Sequence, residues 1–191
     1  VGETMTGIRR TAAKNGFIPR RKAAATQGIL ATIINAIDLS KLSGIRDRAL
    51  LLMGFYGAFR RSELASIETR HVALVPKGLL VTLPQSKGDR QGKGVEVALP
   101  YTQDQYCPVK AYGAWLAASG IQAGPIFRRV RKEKTTASRE DGREIGQMPL
   151  TDRSIARIIQ NRASTAGFDG KTFGGHSLKR GALTTGMDAG A

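Results

Sequence analysis

The feature that most limits how this chain can fold is the apolar run SGIRDRALLLMGFYGAF, residues 43–59. Its second half is apolar at every helical position, so no polar face is left for solvent. A helix of this kind must be covered by other elements on all sides. We therefore expect a central buried helix, with the rest of the domain packed around it.

Patterns on both sides of this run supply the cover. TQGILATIINAIDL spaces isoleucines four apart and predicts an amphipathic helix, and CPVKAYGAWLAASG predicts another, with Pro108 at its first position and Gly120 beyond its end. HVALV, LLVTLP and VEVALP predict about three short antiparallel strands. The expected fold class is mainly α with a small antiparallel β-sheet.

Smaller features complete the expected layout. Ser43 and Ser62 are predicted to cap the central helix and the short helix after it, and Thr151 to begin a later one. Residues 128–147 are charged and poor in apolar residues, which predicts a long loop or disordered insertion. The last helix, opened by GGHSLKRGALTTGM, is expected to bury Leu178, Ala182 and Leu183.

The two ends of the chain suggest its domain organisation. Residues 1–25 carry six lysines and arginines against one acidic residue, which predicts a basic arm or interdomain linker. Residues 26–191 are expected to form one domain. Because the chain starts at Val1 and stops at Ala191 without an evident stop signal, we expect a longer protein whose domain is here C-terminally incomplete.

Charge indicates the class of partner. The 191 residues contain 30 Lys and Arg against 15 Asp and Glu, a net charge of +15. Such a field attracts polyanions, and nucleic acid is the leading candidate. A solubilising surface and an anionic membrane are the alternatives, but no basic amphipathic helix with an aromatic face supports membrane binding. The single cysteine, Cys107, excludes an internal disulfide, and a cytosolic location is the default.

One of the two histidines lies in GGHSLKRGALTT, at the predicted start of the last helix. Lys179 and Arg180 follow His176 by three and four residues, so all three share a helix face. Free N–H groups, an imidazole and two cations favour an anion. The alternative is a histidine that caps its own helix beside solvated cations.

A second cluster of cations lies in GAFRRSEL, directly after the apolar run. A guanidinium held there by packing is suited to a bidentate grip on a phosphate, and this applies to Arg60 and Arg61. Glu63 lies three residues on and is placed to orient Arg60. The alternative is an ordinary arginine–glutamate pair at a helix start.

A third group of cations lies in QSKGDRQGKG, the predicted tip of a β-hairpin. A lysine at such a tip is usually only exposed, but Lys87 on a tip that swings over DNA would be placed to deliver a proton to a leaving oxygen. Arg90 and Lys93 add charge to the same tip. No metal-ligand spacing and no phosphate-binding loop occurs in the sequence, so no metal or nucleotide cofactor is expected.

These motifs together resemble one known family. Arg60 in GAFRRSEL, a lysine on the following hairpin, and GHSLKRG more than a hundred residues after the first motif are similar to the tyrosine recombinases, or phage-integrase family, from about residue 43 to 191. The resemblance implies their catalytic-domain fold. It also implies DNA strand cleavage and rejoining through a 3′-phosphotyrosyl intermediate, without a metal or cofactor.

The resemblance also implies roles for individual residues. Arg60 matches the first catalytic arginine, Glu63 the acidic residue that supports the site, and Lys87 the general acid for the leaving 5′-hydroxyl. His176 matches the histidine of a His-x-x-Arg motif, whose arginine is replaced here by Lys179. Lysine keeps the charge but lacks the planar fork. Four further cations are expected to contact DNA: Arg61, Arg90, Lys93 and Arg180.

The family's nucleophilic tyrosine lies downstream of this motif. The four tyrosines of this chain, Tyr56, Tyr101, Tyr106 and Tyr112, all precede His176. We therefore expect this chain to bind double-stranded DNA weakly and not to cleave it. The resemblance implies a cytoplasmic, nucleoid-associated protein of bacterial or phage origin that acts as a tetramer on DNA when full-length.

Two other functions stay open at this point. One is a non-enzymatic DNA-binding relative that uses the same cationic pocket as a phosphate clamp, which Lys179 favours. The other is a basic RNA-binding protein, for which exposed aromatics on a sheet face are expected. The three predicted strands contain no aromatic residue.

Overall fold

A computed structural model describes residues 22–83, 94–131, 145–188 and 190 of this chain. The helices are α1 (Gln27–Asn35), α2 (Leu42–Tyr56), α3 (Arg61–Ser66), α4 (Pro108–Ser119), α5 (Asp152–Thr165) and α6 (Ser177–Asp188). The strands are β1 (Val72–Val75), β2 (Gly78–Leu83), β3 (Val95–Pro100), β4 (Arg128–Val130) and β5 (Ile145–Pro149). Short 3-10 turns occupy Thr69–His71 and Gly170–Thr172. The predicted class, mainly α with a small antiparallel sheet, is confirmed.

Helix α2 is the centre of the fold, as the apolar run predicts. Its residues 49–53 are completely buried. The helix packs most extensively against α4 and also contacts α1, α3 and α6. Because neighbouring helices pack around α2, the position of each of its ends is fixed in the domain.

The three predicted strands form one antiparallel sheet with β2 in the middle. Val72 pairs with Val81 across β1 and β2, and Leu79 with Leu99 across β2 and β3. Alternate residues of β2 face the core, including Leu83, whereas Thr82 is exposed. This alternation is expected of a sheet with one buried face.

A second, two-stranded sheet corrects the prediction of a loop over residues 128–147. Val130 of β4 pairs with Ile145 of β5, and Arg128 pairs with Pro149. Residues 132–144 between the strands lie outside the described part. These strands carry little apolar alternation because β5 is largely exposed. Backbone hydrogen bonds pair the two strands, although they lack the apolar–polar alternation from which a strand is predicted.

The predicted serine caps are wrong. Helix α2 begins at Leu42, so Ser43 lies inside its first turn. Helix α3 is preceded by Arg60 rather than capped by Ser62, and the Arg60 N–H donates to Glu63 Oε2 at 2.7 Å. A carboxylate three residues into the helix therefore satisfies the N–H that a serine cap would leave to water.

Other predicted helix boundaries are confirmed. Helix α4 begins at Pro108 and ends before Gly120, which adopts a left-handed conformation with φ of 65°. Thr151 caps α5, and its Oγ1 accepts a hydrogen bond from the Ser154 N–H at 3.2 Å. None of the helices in the described ranges combines the length and apolar character needed to cross a membrane.

The buried face of α6 differs from the prediction. Leu178 is buried and Ala182 partly buried, but Leu183 is 55% exposed. The buried residue on the adjacent turn is Gly181, where an added β-carbon would overlap the Ala25 carbonyl oxygen. Close backbone contact with residues 22–26 thus rotates α6 away from the face that apolar periodicity indicates.

Candidate functional site

A tight turn carries the chain from the buried end of α2 to Arg60. The Phe59 N–H donates to the Gly54 carbonyl at 3.2 Å, and the Ala58 N–H donates to the Phe55 carbonyl at 3.0 Å. These two bonds, with Ala58 at φ 46°, are the Schellman arrangement that ends many helices. The turn fixes the direction in which the next residue, Arg60, leaves the core.

The left-handed residue of this turn is an alanine, although a glycine stands just before it. Gly57 has φ of −84° and continues the helical conformation. Its lack of a side chain serves a different purpose, because an added β-carbon would overlap the ring of Phe59. Phe59 is only 3% exposed, so this ring anchors the turn to the core.

Glu63 holds Arg60 at two points. The carboxylate accepts the Arg60 backbone N–H at 2.7 Å and lies 2.5 Å from Nη1 of its guanidinium. The Glu63 side chain is 8% exposed and the Arg60 side chain 34%. A buried carboxylate therefore orients a guanidinium that still reaches the surface, which is the geometry expected for Glu63.

The turn that leads into α6 is held without the histidine side chain. Ser177 is buried, and its Oγ accepts the Gly174 N–H at 2.9 Å. The His176 carbonyl accepts the Arg180 N–H at 2.9 Å, which begins the helical hydrogen bonding. The exposed imidazole of His176 makes no hydrogen bond with any residue that the structure describes. Ser177 thus holds the turn that leads into α6, and the His176 side chain takes no part in it.

Two contacts bring the α2–α3 turn to the start of α6. A β-carbon at Gly54 would lie 2.8 Å from Leu178 Cδ1 and 3.1 Å from Leu64 Cδ2, so these helices meet closely there. The side chain of Arg61 lies across Gly175, where an added β-carbon would overlap its Cδ, Nε and Cζ atoms. Motifs more than a hundred residues apart in sequence therefore meet at one surface.

The other predicted site residues are placed as follows. Lys179 is partly buried, and its ammonium group makes no hydrogen bond or ion pair with the described residues. The Arg180 guanidinium donates to the Lys22 carbonyl. Lys87, Arg90 and Lys93 lie outside the described residues.

Residues 22–26 form an extended brace beside α6 that the sequence did not reveal. The Ala23 N–H donates to the Thr172 carbonyl at 2.8 Å, and the Ala25 N–H donates to the Ser177 carbonyl at 2.9 Å. Gly181 contacts the Ala25 carbonyl directly. The end of the predicted arm thus holds the helix that follows His176.

A buried ion cluster at the other end of α2 was also missed. Oδ1 of Asp47 accepts Nε and Nη2 of Arg46 at 2.9 and 2.6 Å. Oδ2 accepts a hydrogen bond from Nε of Arg162 in α5 at 2.8 Å and lies 2.7 Å from Nη2 of the same guanidinium. The Arg46 Nη1 also donates to the Arg128 carbonyl at 3.2 Å. The sequence signal that could have indicated this cluster is the triplet RDR, residues 46–48, within an apolar run.

The candidate site is therefore strongly cationic. Arg60, Arg61 and Lys179 carry three positive charges, and Glu63 carries one negative charge. No group of three or more His, Cys, Asp or Glu able to hold a metal occurs among the residues described. An arrangement of this kind can bind an anion of phosphate size and stabilise negative charge that develops on it.

Comparison with known proteins gives one curated relative. The integrase/recombinase xerD homolog of Selenomonas ruminantium is 37% identical over 186 residues. The match covers 97% of this chain but 51% of the relative, so the chain spans about half the relative's length. No family model matches the chain.

Solved structures share the fold at low identity. The XerA recombinase has a TM-score of 0.62 at 18% identity, over 92% of this chain and 53% of that one. The XerH site-specific recombinase, bound to difH substrate in a pre-cleavage complex, has a TM-score of 0.61 at 15% identity. That match covers 89% of this chain and 44% of the XerH chain.

Proposed function

This chain belongs to the tyrosine recombinase family, and from this premise we propose that it is the catalytic domain of a site-specific DNA recombinase or integrase. The proposed substrate is double-stranded DNA, consistent with the net charge of +15. The proposed reaction is cleavage and rejoining of one DNA strand at a time by the full-length protein.

One observation carries the proposal: the α2–α3 turn and the start of α6 meet through Arg61 and Gly175. This contact brings the Arg60–Glu63 pair and the His176 helix start to the same surface. A chain that used these cations only for solubility would have no need to hold Arg60 on a buried carboxylate and to bring it to the surface where α6 begins. Their assembly supports a shared phosphate ligand.

In the proposed mechanism a tyrosine attacks the scissile phosphate through its hydroxyl oxygen, and the hydroxyl proton passes to solvent. A bond forms between its oxygen and phosphorus, and the bond to the 5′-oxygen breaks. Arg60 and Lys179 stabilise the extra charge on the non-bridging oxygens, while His176 contacts the same phosphate. Lys87, outside the described residues, gives its proton to the leaving 5′-oxygen.

The nucleophile is proposed to be none of the four tyrosines in this chain. Burial raises the pKa values of both Tyr56 and Tyr112, which opposes the deprotonation that attack requires. The Tyr106 hydroxyl donates to Asn35 Oδ1 at 3.2 Å. Tyr101 lies directly after β3 in the three-stranded sheet.

The wider context is proposed from the family. We propose that residues 26–191 act as the catalytic domain, that residues 1–25 link it to another domain, and that four copies assemble on DNA. The brace at residues 22–26 supports a linker that is attached to the site. A cytoplasmic, nucleoid-associated location in a bacterium or phage host follows from this function.

Two measurements test the proposal. In the first, fluorescence anisotropy follows binding of a duplex oligonucleotide as salt is raised, and affinity should fall steeply. In the second, a nicked suicide duplex is analysed on a denaturing gel. This chain should form no covalent adduct, whereas the protein read from the complete gene should form one that Arg60→Ala abolishes. Absence of salt-dependent DNA binding by this chain would overturn the proposal.

A non-enzymatic DNA-binding relative is the second candidate, favoured by Lys179 at the position of the family's second arginine. It predicts the same DNA binding but no covalent adduct from either protein. An adduct formed by the complete protein excludes it.

A further inference from the structure

We infer that Arg61 is a ligand of the phosphate at the His176 site and not a contact to DNA elsewhere. The inference rests on the proposed function, because the phosphate is that of DNA. It adds a second guanidinium to the proposed phosphate site, from the residue directly after Arg60. It also gives Gly175 a specific purpose, which is to make room for that guanidinium.

The first support is the position of the Arg61 side chain. Its Cδ, Nε and Cζ atoms occupy the space that a β-carbon of Gly175 would need. The guanidinium therefore lies against the backbone immediately before His176. A surface arginine that only sampled solvent would not require a neighbouring residue to lack its side chain.

The second support is that the Arg61 guanidinium has no acceptor among the residues that the structure describes. Arg61 is partly buried, yet it makes no hydrogen bond or ion pair with any residue in the described ranges. Arg46 and Arg162, by contrast, each direct two nitrogens to one oxygen of Asp47. A partly desolvated guanidinium with unused donors is well suited to a phosphate.

The third support is chemical. Lys179 offers a compact charge without a planar fork. Arg61 offers two N–H groups in a plane at the same surface, and packing against Gly175 reduces the freedom that binding would remove. Arg61 thus supplies a bidentate donor at a surface where Lys179, the cation from α6, cannot act as one.

The experiment compares Arg61→Ala and Arg61→Lys with Arg70→Ala. Arg70 is a matched control because it also carries one positive charge but lies exposed, with Nε 2.8 Å from Glu68. Two probes are used: duplex DNA by anisotropy, and inorganic phosphate titrated while backbone amides of residues 174–180 are followed by NMR. We expect both Arg61 variants to bind phosphate about tenfold more weakly than the unmodified chain. Arg70→Ala should leave phosphate binding unchanged.

Substitution of Gly175 gives a second, independent test in which no charge is removed. Gly175→Ala should displace Arg61 and reduce phosphate binding as far as Arg61→Ala does, whereas Gly186→Ala in α6, where a β-carbon meets open space, should have no effect. Circular dichroism establishes that each variant is folded.

The possible results separate the two proposals. If the unmodified chain binds duplex DNA and shifts these amides, but both Arg61→Ala and Gly175→Ala match their controls, the role of Arg61 is wrong and the DNA function stands. If the unmodified chain binds neither probe, the proposed function fails first.

Discussion

The two ends of helix α2 both carry arginines, but they use them in opposite ways. At its start, Arg46 and Arg162 are matched to Asp47, and each carboxylate oxygen receives two guanidinium nitrogens. Beyond its end lie Arg61 of α3 and, at the start of α6, His176 and Lys179; their side chains make no hydrogen bond to residues that the structure describes. The first group is closed and ties α5 to α2, whereas the second is open toward solvent.

The difference teaches how to tell a structural cation from a ligand-binding one. Guanidinium groups have a fixed set of donors, and burial is tolerated when the protein supplies acceptors. Where the described residues supply no acceptor and the backbone leaves room for the cation, as at Gly175, an external anion is the expected partner. Substitution at the closed end should therefore change stability, and substitution at the open end should change binding.

The largest expected effect is at the closed end. Asp47→Asn keeps the shape of the side chain but leaves two largely buried guanidinium groups without a counter-charge. The free energy of unfolding should fall by about 3 kcal/mol or more. Urea denaturation followed by circular dichroism measures this fall.

The matched control for Asp47 is Asp38→Asn in the exposed turn before α2. Lys41 and Ser40 hold the pKa of the Asp38 carboxyl at about 2 through hydrogen bonds, yet the side chain is in solvent. The urea midpoint at neutral pH should therefore stay close to that of the unmodified chain. Equal midpoints for both variants would show that the cluster does not stabilise the fold.

A smaller loss of stability is expected where the brace meets α6. Gly181→Ala forces a β-carbon against the Ala25 carbonyl, so the helix or residues 22–26 must move. Overpacking of this kind should lower the unfolding free energy by about 2 kcal/mol. Thermal denaturation checks this.

Gly186→Ala is the control for Gly181, since the added methyl group meets open space on the same helix. Alanine is the better helix former, so this variant should gain about 0.5–1 kcal/mol. If Gly181→Ala lowers the unfolding free energy and Gly186→Ala raises it, the loss at Gly181 comes from the contact with residues 22–26. A gain at both positions would contradict the close approach of Ala25.

The third effect is at the open end and concerns binding. Lys179→Ala should leave the unfolding free energy within about 0.5 kcal/mol, because the ammonium group has no partner among the described residues. Duplex DNA should bind about tenfold more weakly, and the slope of log affinity against log salt should decrease by about one. Anisotropy at several salt concentrations gives both values.

Lys179→Arg completes this comparison. If the ammonium contacts phosphate, a planar fork at the same position should bind DNA at least as tightly. Unchanged affinity in Lys179→Ala would remove this residue from the site and weaken the distinction between the two ends of α2.

Much of this fold could be predicted because its strongest signals are local. The apolar run predicted α2, and Pro108 and Gly120 predicted both ends of α4. Leu183 and the β4–β5 pair could not be predicted correctly, because tertiary backbone contacts decide them rather than side-chain periodicity. The face that α6 buries depends on the contact of Gly181 with Ala25, which lies far away in sequence.

The candidate site shows the same division. The spacing of three residues predicted that Glu63 orients Arg60, and Glu63 does hold Arg60, whereas the site roles of Arg60, Glu63 and His176 stay predictions. The acceptor of Arg162 lies 115 residues earlier, at Asp47. The side chain of Arg61 packs against the backbone at Gly175. A single sequence carries no signal for such pairings, since any of its 15 acidic residues was an available partner.

The smallest expected effect tests the backbone that presents the open end. Ala58 holds a left-handed conformation at φ 46°, which is unfavourable by about 1–2 kcal/mol for a residue with a β-carbon. Ala58→Gly relieves this strain but also makes the unfolded chain more flexible, which offsets about 0.4–1 kcal/mol. A net gain of about 0.5 kcal/mol is expected in urea denaturation. Ala36→Gly, at a helix end with φ of −83°, has no strain to relieve and should only lose stability. If both variants lose stability equally, the turn before Arg60 is not strained, and its direction is set by the packing of Phe59 alone.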